Sequence, residues 1–347
     1  MDVRPILKDK ASMILLHPLA ILLLALGFIS CSGPSEDPAA WPTRPITISC
    51  LAAPGGGTDL VSRLMAEEMG KVLGVKINVV NRTEGGGAAA INHVAKSKRD
   101  GYQWGGFSEL LLTKSVLGTS DATAKDWAFF AVAGSPGVLS VAPNSPHQSL
   151  DDLVEALRAN PRSMKVGASI AGSVWHTKLL ALERAAGVQF QFLPFQGSSP
   201  SQVAALTGEV DVVLTSISEQ AELIKGDKLR PLAMIEMEPH EFNGATILAA
   251  GEKYPALAEV PVSQFLGLAL PADTPAPILE KVTAAFEEVM ALPALKETAK
   301  TRYLNLIGEH GETSLESNLA AEKVWTWKLY ELGIAVKSPD EFGIAKP

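Results

Sequence analysis

The chain has 347 residues, a formal net charge of −8, and 47% hydrophobic and 20% charged residues. This composition is typical of a globular protein with one large or two medium domains, and it excludes a disordered, collagen-like or multi-span membrane protein. The acidic balance argues against nucleic acid as a partner, because phosphate binding needs clustered Lys and Arg. Two cysteines exclude a disulfide framework, and six histidines without ligand spacing argue against a metal site, so no cofactor is expected.

The N-terminus has the pattern of an export signal. A positively charged start precedes an apolar run over residues 19–29, which is short for a membrane span. The Ser30-Cys31 pair that follows resembles a bacterial lipoprotein processing site. We predict a signal peptide over residues 1–31, a lipid on Cys31 that attaches the chain to a membrane, a tether over 32–45 and a periplasmic location. Plain secretion, with Cys31 incidental, is the alternative.

After the tether, apolar strand-like runs alternate with segments of helical period. Strands are predicted at 46–52, 76–80 and 102–107, with helices at 58–73 and 85–95 between them. Glycine clusters follow the first two strands. This order predicts a parallel sheet with right-handed crossovers.

The middle of the chain repeats the alternation and predicts a second α/β unit of ordinary domain size. Its predicted helices are 149–159, 173–186, 201–207 and 219–225, and its predicted strands are 164–168, 189–194, 211–215 and 229–235. The C-terminal part contains a predicted strand at 265–270 and helices at about 277–290 and 314–332.

Two extended, proline-bearing segments, 135–146 and 259–264, are interpreted as crossovers between two lobes. The predicted fold class is therefore α/β, with two doubly wound lobes. Residues 46–142 would begin lobe 1 and residues 143–260 would form lobe 2. Residues 261–347 would complete lobe 1 and supply the C-terminal helices.

The strongest local motif lies between the first strand and the first helix. It reads Ala53-Pro54-Gly55-Gly56-Gly57-Thr58-Asp59. Glycine N–H groups and a positive helix end can bind an anion without Lys or Arg, which makes residues 54–58 candidate ligand-binding residues. The Gly-Lys-Ser/Thr of a nucleotide-binding loop and the third glycine of a dinucleotide motif are both missing. A purely structural turn is the alternative, and Asp59 is expected to order the loop through Arg63.

Small, polar turns also follow later strands. Ligands bind at the carboxyl ends of strands in open α/β sheets, so these turns are expected to meet in one cleft. Their hydroxyls, amides and backbone N–H groups suit a small oxyanion such as a carboxylate. The additional candidate ligand-binding residues are Ser108, Ser169, Ala171, Gly172, Ser173, His176, Phe195, Gln196, Gly197, Ser198, Thr215 and Ser216.

An enzyme is a weaker interpretation. Ser173 and His176 share a helix face, but the sequence lacks a G-x-S-x-G motif and no Asp is placed to orient His176. We predict no catalytic residues and no enzymatic activity.

Several motifs after residue 41 together resemble one known family. They are Trp41-Pro42-Thr43-Arg44-Pro45, the glycine loop with Leu60 to Leu64, Asn81-Arg82-Thr83-Glu84-Gly85-Gly86-Gly87, Leu193-Pro194-Phe195-Gln196-Gly197, Leu206-Thr207-Gly208-Glu209-Val210-Asp211 and Leu270-Pro271-Ala272-Asp273-Thr274-Pro275. Their order and spacing are similar to those of the periplasmic solute receptors of tripartite tricarboxylate transporters, the Bug family.

The resemblance implies a fold of the periplasmic-binding-protein type, with a ligand cleft between the lobes. Such a receptor closes on a small carboxylate and delivers it to the permease subunits of a tripartite transporter. A ligand sensor for a signalling partner is the alternative. The chain departs from the family pattern at Cys50-Leu51, where the family usually has Pro followed by an aromatic residue. It departs again at Thr215-Ser216, where an acidic residue is usual.

Overall fold

The computed structural model describes residues 39–260 and 263–347, which form a mixed α/β fold with two main sheets. The predicted signal peptide, Cys31 and the first half of the predicted tether lie outside the described residues. The strands are β1 (Ile46–Cys50), β2 (Ile77–Asn81), β3 (Gln103–Ser108), β4 (Trp127–Gly134), β5 (Gly137–Val141), β6 (Lys165–Gly167), β7 (Gln191–Leu193), β8 (Val212–Ser216), β9 (Arg230–Met234), β10 (His240–Phe242), β11 (Ala245–Ile247), β12 (Leu266–Pro271) and β13 (Asn305–Glu309).

The helices pack on the faces of these sheets. They are α1 (Gly57–Leu73), α2 (Ala88–Ala95), α3 (Leu150–Ala159), α4 (Val174–Ala186), α5 (Ser198–Thr207), α6 (Ile217–Lys225), α7 (Ala250–Lys253), α8 (Ala276–Ala291), α9 (Pro293–Thr301) and α10 (Gly311–Glu331). Across the described part of the chain, no helix combines the length and apolar character needed to cross a bilayer.

The first sheet has the strand order β13-β4-β12-β3-β1-β2. β1 pairs in parallel with β2 and β3, as the β-α-β alternation predicts. β12 returns from the C-terminal part of the chain and pairs antiparallel with both β3 and β4. A core that includes Ile48, Met65, Trp104 and Phe286 fills the space between this sheet and its helices.

The second sheet has the strand order β7-β6-β8-β5-β9. β6 is parallel to β7 and to β8, whereas β5 lies antiparallel between β8 and β9. A separate core around Leu139, Leu153, Leu182 and Leu214 packs against it. Two sheets with two cores form the two lobes that the sequence predicts.

The interpretation of segment 135–146 as a simple crossover is wrong, because this segment supplies β5 at the interior of the second sheet. Pro136 and Pro143 flank the apolar run without interrupting it, so its five residues all pair with their neighbours. The chain passes between the sheets over Ser135-Pro136, directly after β4. β5 therefore precedes the predicted lobe boundary at residue 143.

The two connections between the lobes lie side by side. A Cβ atom added at Gly134 would lie 2.1 Å from the carbonyl oxygen of Gln264, which belongs to the returning connection. The helix α10 also joins the lobes, since it packs against β4 while Trp325 Nε1 donates to Thr177 Oγ1 of α4 at 3.0 Å. The backbones of the two connecting segments are therefore in contact here, because Gly134 has no side chain to separate them.

Candidate functional site

A small cavity of about 20 Å³ lies between the lobes, where the carboxyl ends of β1, β3, β6 and β8 face each other. It has room for about one water molecule. Its lining residues are Leu51, Ala52, Gly56, Gly57, Thr58, Ser108, Glu109, Leu110, Ser169, Ile170, Ser173, Trp175, Gly197, Ser198, Glu219, Gln264 and Leu266. The lobes are therefore closed on each other at the strand ends, where an open α/β sheet binds its ligand.

A larger cavity of about 660 Å³ lies beside the crossover residues 134–136. Its one lysine, Lys178, is already paired: Nζ donates to the carbonyl oxygen of Ile235 at 3.1 Å and to the Glu236 carboxylate. The smaller cavity at the strand ends is the better candidate site, because polar residues of both lobes line it.

The glycine loop opens α1 with its N–H groups mostly bonded. Gly55 N donates to Asp59 Oδ2 at 2.9 Å, and Gly56 N donates to the carbonyl oxygen of Ala53 at 3.2 Å. Gly57 N instead crosses to the other lobe and donates to Glu219 Oε1 at 2.7 Å. The φ of +82° at Gly55 lies in the left-handed region that favours glycine. The loop therefore offers a ligand fewer free donors than its sequence predicts.

Asp59 orders this loop, as its spacing to Arg63 predicts. Its carboxylate accepts hydrogen bonds from Gly55 N, from Arg63 and from Asn81 Nδ2. Burial by itself raises the pKa of Asp59, but the hydrogen bonds from Arg63, Gly55 and Asn81 outweigh it and lower the pKa below its ordinary value. Asp59 does not line the cavity, so it acts on the shape of the loop.

Glu219 stands in the first turn of α6 and joins the lobes. Its Oε2 accepts from Ser216 N at 3.1 Å and from Ser216 Oγ at 2.7 Å, which completes a capping box with the Ser216 side chain. Its Oε1 accepts from Gly57 N. The carboxylate thus lies at the positive end of α1 while it caps α6.

Glu109 follows β3 and enters the same cavity from lobe 1. Its side chain is buried, with 3% exposed, and its Oε2 has no hydrogen-bond partner among the described residues. The pKa of Glu109 is raised to about 8, mainly by burial; the nearby Glu219 carboxylate also raises it, while the backbone N–H groups of Glu109, Val174 and Phe265 lower it. Lys114 is close enough to Glu109 for the Glu109 carboxylate to raise the pKa of the lysine. Burial has the larger effect and lowers that pKa to about 8.

The cavity brings together eight of the residues that the sequence singles out: Gly56, Gly57, Thr58, Ser108, Ser169, Ser173, Gly197 and Ser198. Several of their hydroxyls also have structural roles. Ser108 Oγ accepts from Leu110 N, and Ser173 Oγ accepts from His176 N at the start of α4. A ligand that binds these hydroxyls would therefore contact the ends of the helices and turns themselves.

The structure places the other sequence candidates away from the cavity lining. They are Pro54, Gly55, Ala171, Gly172, His176, Phe195, Gln196, Thr215 and Ser216. His176 Nδ1 accepts from Gly172 N at 3.1 Å, its ring stacks on Phe192, and burial lowers its pKa to about 4. Thr215 Oγ1 accepts from two buried glutamine side chains. The backbone carbonyl of Gln196 joins the lobes by accepting from Ala53 N at 3.2 Å.

The residues predicted from the sequence do not include Glu109, Glu219 or Gln264 as lining residues of the cavity. One signal was available for Glu219, because Ser216 followed three residues later by Glu is a capping-box pattern. The cavity holds two carboxyl groups with the hydroxyls, and no lysine or arginine is among its described lining residues. Within residues 39–260 and 263–347, no three His, Cys, Asp or Glu side chains are grouped as metal ligands would be.

The family model of the tripartite tricarboxylate transporter family receptor matches residues 61–327. The chain belongs to this family. The receptor is 25% identical, over 88% of its length and 90% of the relative's, to a UPF0065 protein from a Pseudomonas species. The family and the fold are those of solute-binding receptors, so the chain is not an enzyme.

Solved structures with the same fold cover most of the receptor. A Rhodopseudomonas palustris protein named MatC, with bound malate, has a TM-score of 0.75 and 22% identity over 83% of this chain and 100% of that one. A second protein from R. palustris, with adipate, has a TM-score of 0.76 and 23% identity over 85% of this chain and 99% of that one.

Proposed function

We propose that this receptor binds a small carboxylate in the cavity between its lobes. The observation that carries the proposal is the 2.7 Å hydrogen bond from Gly57 N to a carboxylate oxygen of Glu219 at the start of α1. This end of the helix already stabilises a carboxylate through a backbone donor and the helix dipole. Relatives of the same fold hold malate and adipate, which supports the same ligand class here.

Binding would proceed by opening and closing of the lobes, because the closed cavity of about 20 Å³ is smaller than any di- or tricarboxylate. The ligand would enter between the lobes and bridge the hydroxyls and N–H groups of both, so that its contacts favour the closed state. Charge-assisted hydrogen bonds contribute about 1.5–3 kcal/mol each. Three or four of them, less the ordering of ligand and lobes, correspond to roughly micromolar affinity.

Calorimetric titration of the purified receptor with mono-, di- and tricarboxylates tests this proposal. Saturable binding is expected for at least one acid and for none of the matching neutral amides, such as succinamide beside succinate. Small-angle scattering with the same ligands reports whether the lobes close. Absence of binding to every acid, or equal binding of acids and amides, would contradict the proposal.

Delivery to a permease is the finer part of the proposal. Family membership supports a periplasmic receptor that passes its ligand to the membrane subunits of a tripartite transporter. Anchoring by a lipid on Cys31, after removal of the signal peptide, would keep the receptor at the membrane surface. Cell fractionation tests the anchor: Cys31→Ala should move the receptor from the membrane to the soluble fraction, and an unchanged soluble distribution of both forms would favour plain secretion.

A further inference from the structure

The charged side chains that line the cavity are both acidic, although the proposed ligand is itself an anion. Glu109 comes from lobe 1 and Glu219 from lobe 2, and no cationic side chain is among the lining residues that the structure describes. A ligand whose only charged groups are carboxylates would therefore meet two carboxyl groups without bringing a positive charge. The remaining polar side chains are hydroxyls, one amide and the indole of Trp175, and none of them is cationic.

Glu219 is held in place and remains part of the cavity wall. Oε1 accepts from Gly57 N at 2.7 Å, and Oε2 accepts from Ser216 N at 3.1 Å and from Ser216 Oγ at 2.7 Å. The Ser216 contacts belong to its own lobe, so they persist whether the lobes are open or closed. A ligand entering the cleft therefore meets a fixed negative charge on this side.

Glu109 has the opposite character, because its buried Oε2 lacks a donor among the described residues. Lys114 lies near it but forms neither a hydrogen bond nor an ion pair with Glu109 in the described contacts. Buried polar atoms are nearly always hydrogen-bonded in folded proteins, and the exceptions call for an explanation. In its ionised form, Glu109 would accept a hydrogen bond at this oxygen from a donor group of the ligand.

We propose that Glu109 and Glu219 form an acidic subsite that holds an ammonium group, so that the ligand is a small zwitterion carrying an amine beside its carboxylate. This inference rests on the proposed carboxylate-binding function and narrows its ligand class. An ammonium group has three donors and no acceptor, so it can contact both carboxyl groups at once. A hydroxyl has a single donor and no charge, so it satisfies one of them without balancing the pair.

The protonation of Glu109 gives a second consequence. The groups that face it are the Glu219 carboxylate, the Lys114 ammonium and the backbone N–H groups of Val174 and Phe265. With its pKa raised to about 8 by burial and by Glu219, Glu109 carries a proton at pH 7 in the closed, empty cavity. An ammonium against its carboxyl favours the charged form. Binding of a zwitterion should therefore release up to one proton from Glu109, whereas binding of a plain dicarboxylate should not.

The experiment compares three probes that differ at one carbon: aspartate with an amine, malate with a hydroxyl and succinate with a hydrogen. We expect aspartate to bind wild-type receptor at least tenfold more tightly than malate, and malate no more weakly than succinate. In Glu109→Gln the advantage of aspartate over succinate should fall to less than threefold. Glu222→Gln, on the exposed face of α6, should keep the wild-type ratio.

Each outcome separates this inference from the proposed function. If malate or succinate binds as tightly as aspartate, the acidic subsite is refuted while carboxylate binding stands. If none of a wider set of carboxylates binds, the proposed function itself fails. If Glu109→Gln does not fold, the ratio of the affinities for aspartate and succinate in the wild-type receptor is the test. Calorimetry in buffers of different ionisation enthalpy at pH 7 then measures the number of protons released. Aspartate should release about 0.5–1 proton there, and no release would count against the subsite.

Discussion

The two acidic side chains of the cavity differ in how fully the protein satisfies them. Glu219, on lobe 2, uses both carboxylate oxygens in three hydrogen bonds, one of which reaches Gly57 of lobe 1. Glu109, on lobe 1, is more deeply buried and has one oxygen without a partner in the described structure. Folding can satisfy a carboxylate at this position, as Glu219 shows. The unpartnered oxygen of Glu109 is therefore free for a ligand, whereas Glu219 also joins the two lobes through Gly57 N.

The largest effect is expected from Glu109→Gln, through the pH dependence of stability. The pKa of Glu109 is raised from 4.5 to about 8 in the folded chain, so its contribution to stability is full below pH 4.5 and is lost as the pH rises through 8. Glutamine does not ionise. The variant should gain up to about 3 kcal/mol over wild type at pH 8 and little at pH 5.

Urea unfolding of both proteins at pH 5 and pH 8 measures this difference in the free energy of unfolding. Glu222→Gln provides the control, because its side chain is 84% exposed and should show no pH-dependent difference. A gap of the same size at pH 5 and pH 8 would mean that Glu109 is not buried as a protonated carboxyl.

The next effect is expected from Glu219→Ala, which removes the glutamate half of the α6 capping box and the bond between the lobes, while Ser216 Oγ still caps α6. Loss of these charge-assisted hydrogen bonds should reduce the free energy of unfolding by about 2 kcal/mol. The ligand-free receptor should also open, with a larger radius of gyration in small-angle scattering. Glu222→Ala lies on the same helix and should change neither quantity; equal behaviour of the two variants would remove Glu219 from the closure mechanism.

The variant Gly57→Ala tests the contact between Gly57 and Glu219 from the side of lobe 1. A Cβ atom at Gly57 would lie 2.9 Å from Glu219 Oε1 and 3.1 Å from Leu266 Cδ1, so the lobes would have to separate slightly. We expect a loss of ligand affinity of about tenfold, or 1.4 kcal/mol. Gly56→Ala adds the same methyl group 3.4 Å from the Ala53 carbonyl oxygen and should have little effect. Calorimetry with the tightest ligand compares the two variants. Equal affinities would show that the close approach of Gly57 to Glu219 does not affect ligand binding.

The smallest effect on binding is expected at His176, which the sequence marks as a ligand residue and the structure places outside the cavity lining. His176→Gln should reduce stability by about 1 kcal/mol, because the bond from Gly172 N and the stacking on Phe192 are lost. Its effect on affinity should stay below twofold. A tenfold loss of affinity at unchanged stability would restore His176 to the binding site; the exposed His93→Gln serves as the reference.

The sequence pattern predicts much of the local structure and less of the assembly. The helical period places α1 at 58–73, within one residue of Gly57–Leu73, and the glycine loop falls at the lobe interface as expected. Strand β4 has no alternation of polar and apolar residues, since both its faces are buried, and its sequence pattern therefore predicts no strand. The position of β5 between β8 and β9 depends on pairing across 70 or more residues, which no local pattern encodes.

The same limit applies to the site. Each candidate turn could be recognised from its small, polar residues, but their convergence depends on the closure of two lobes. Glu219 has a local signature as a helix cap, whereas its bond to Gly57 joins residues 162 positions apart. Glu109 has no signature at all, because an acidic residue after a strand is ordinarily solvated; only the packing of lobe 2 over it makes it buried.

The close passage of the two connections at Gly134 and Gln264 has a mechanical consequence. Gln264 belongs to this crossing and also lines the candidate cavity, so the connections between the lobes lie directly beside that cavity. A longer solute bound there would keep the outer edges of the two lobes apart, by a distance that increases with their distance from the crossing. The angle between the two lobes would then depend on the size of the bound solute.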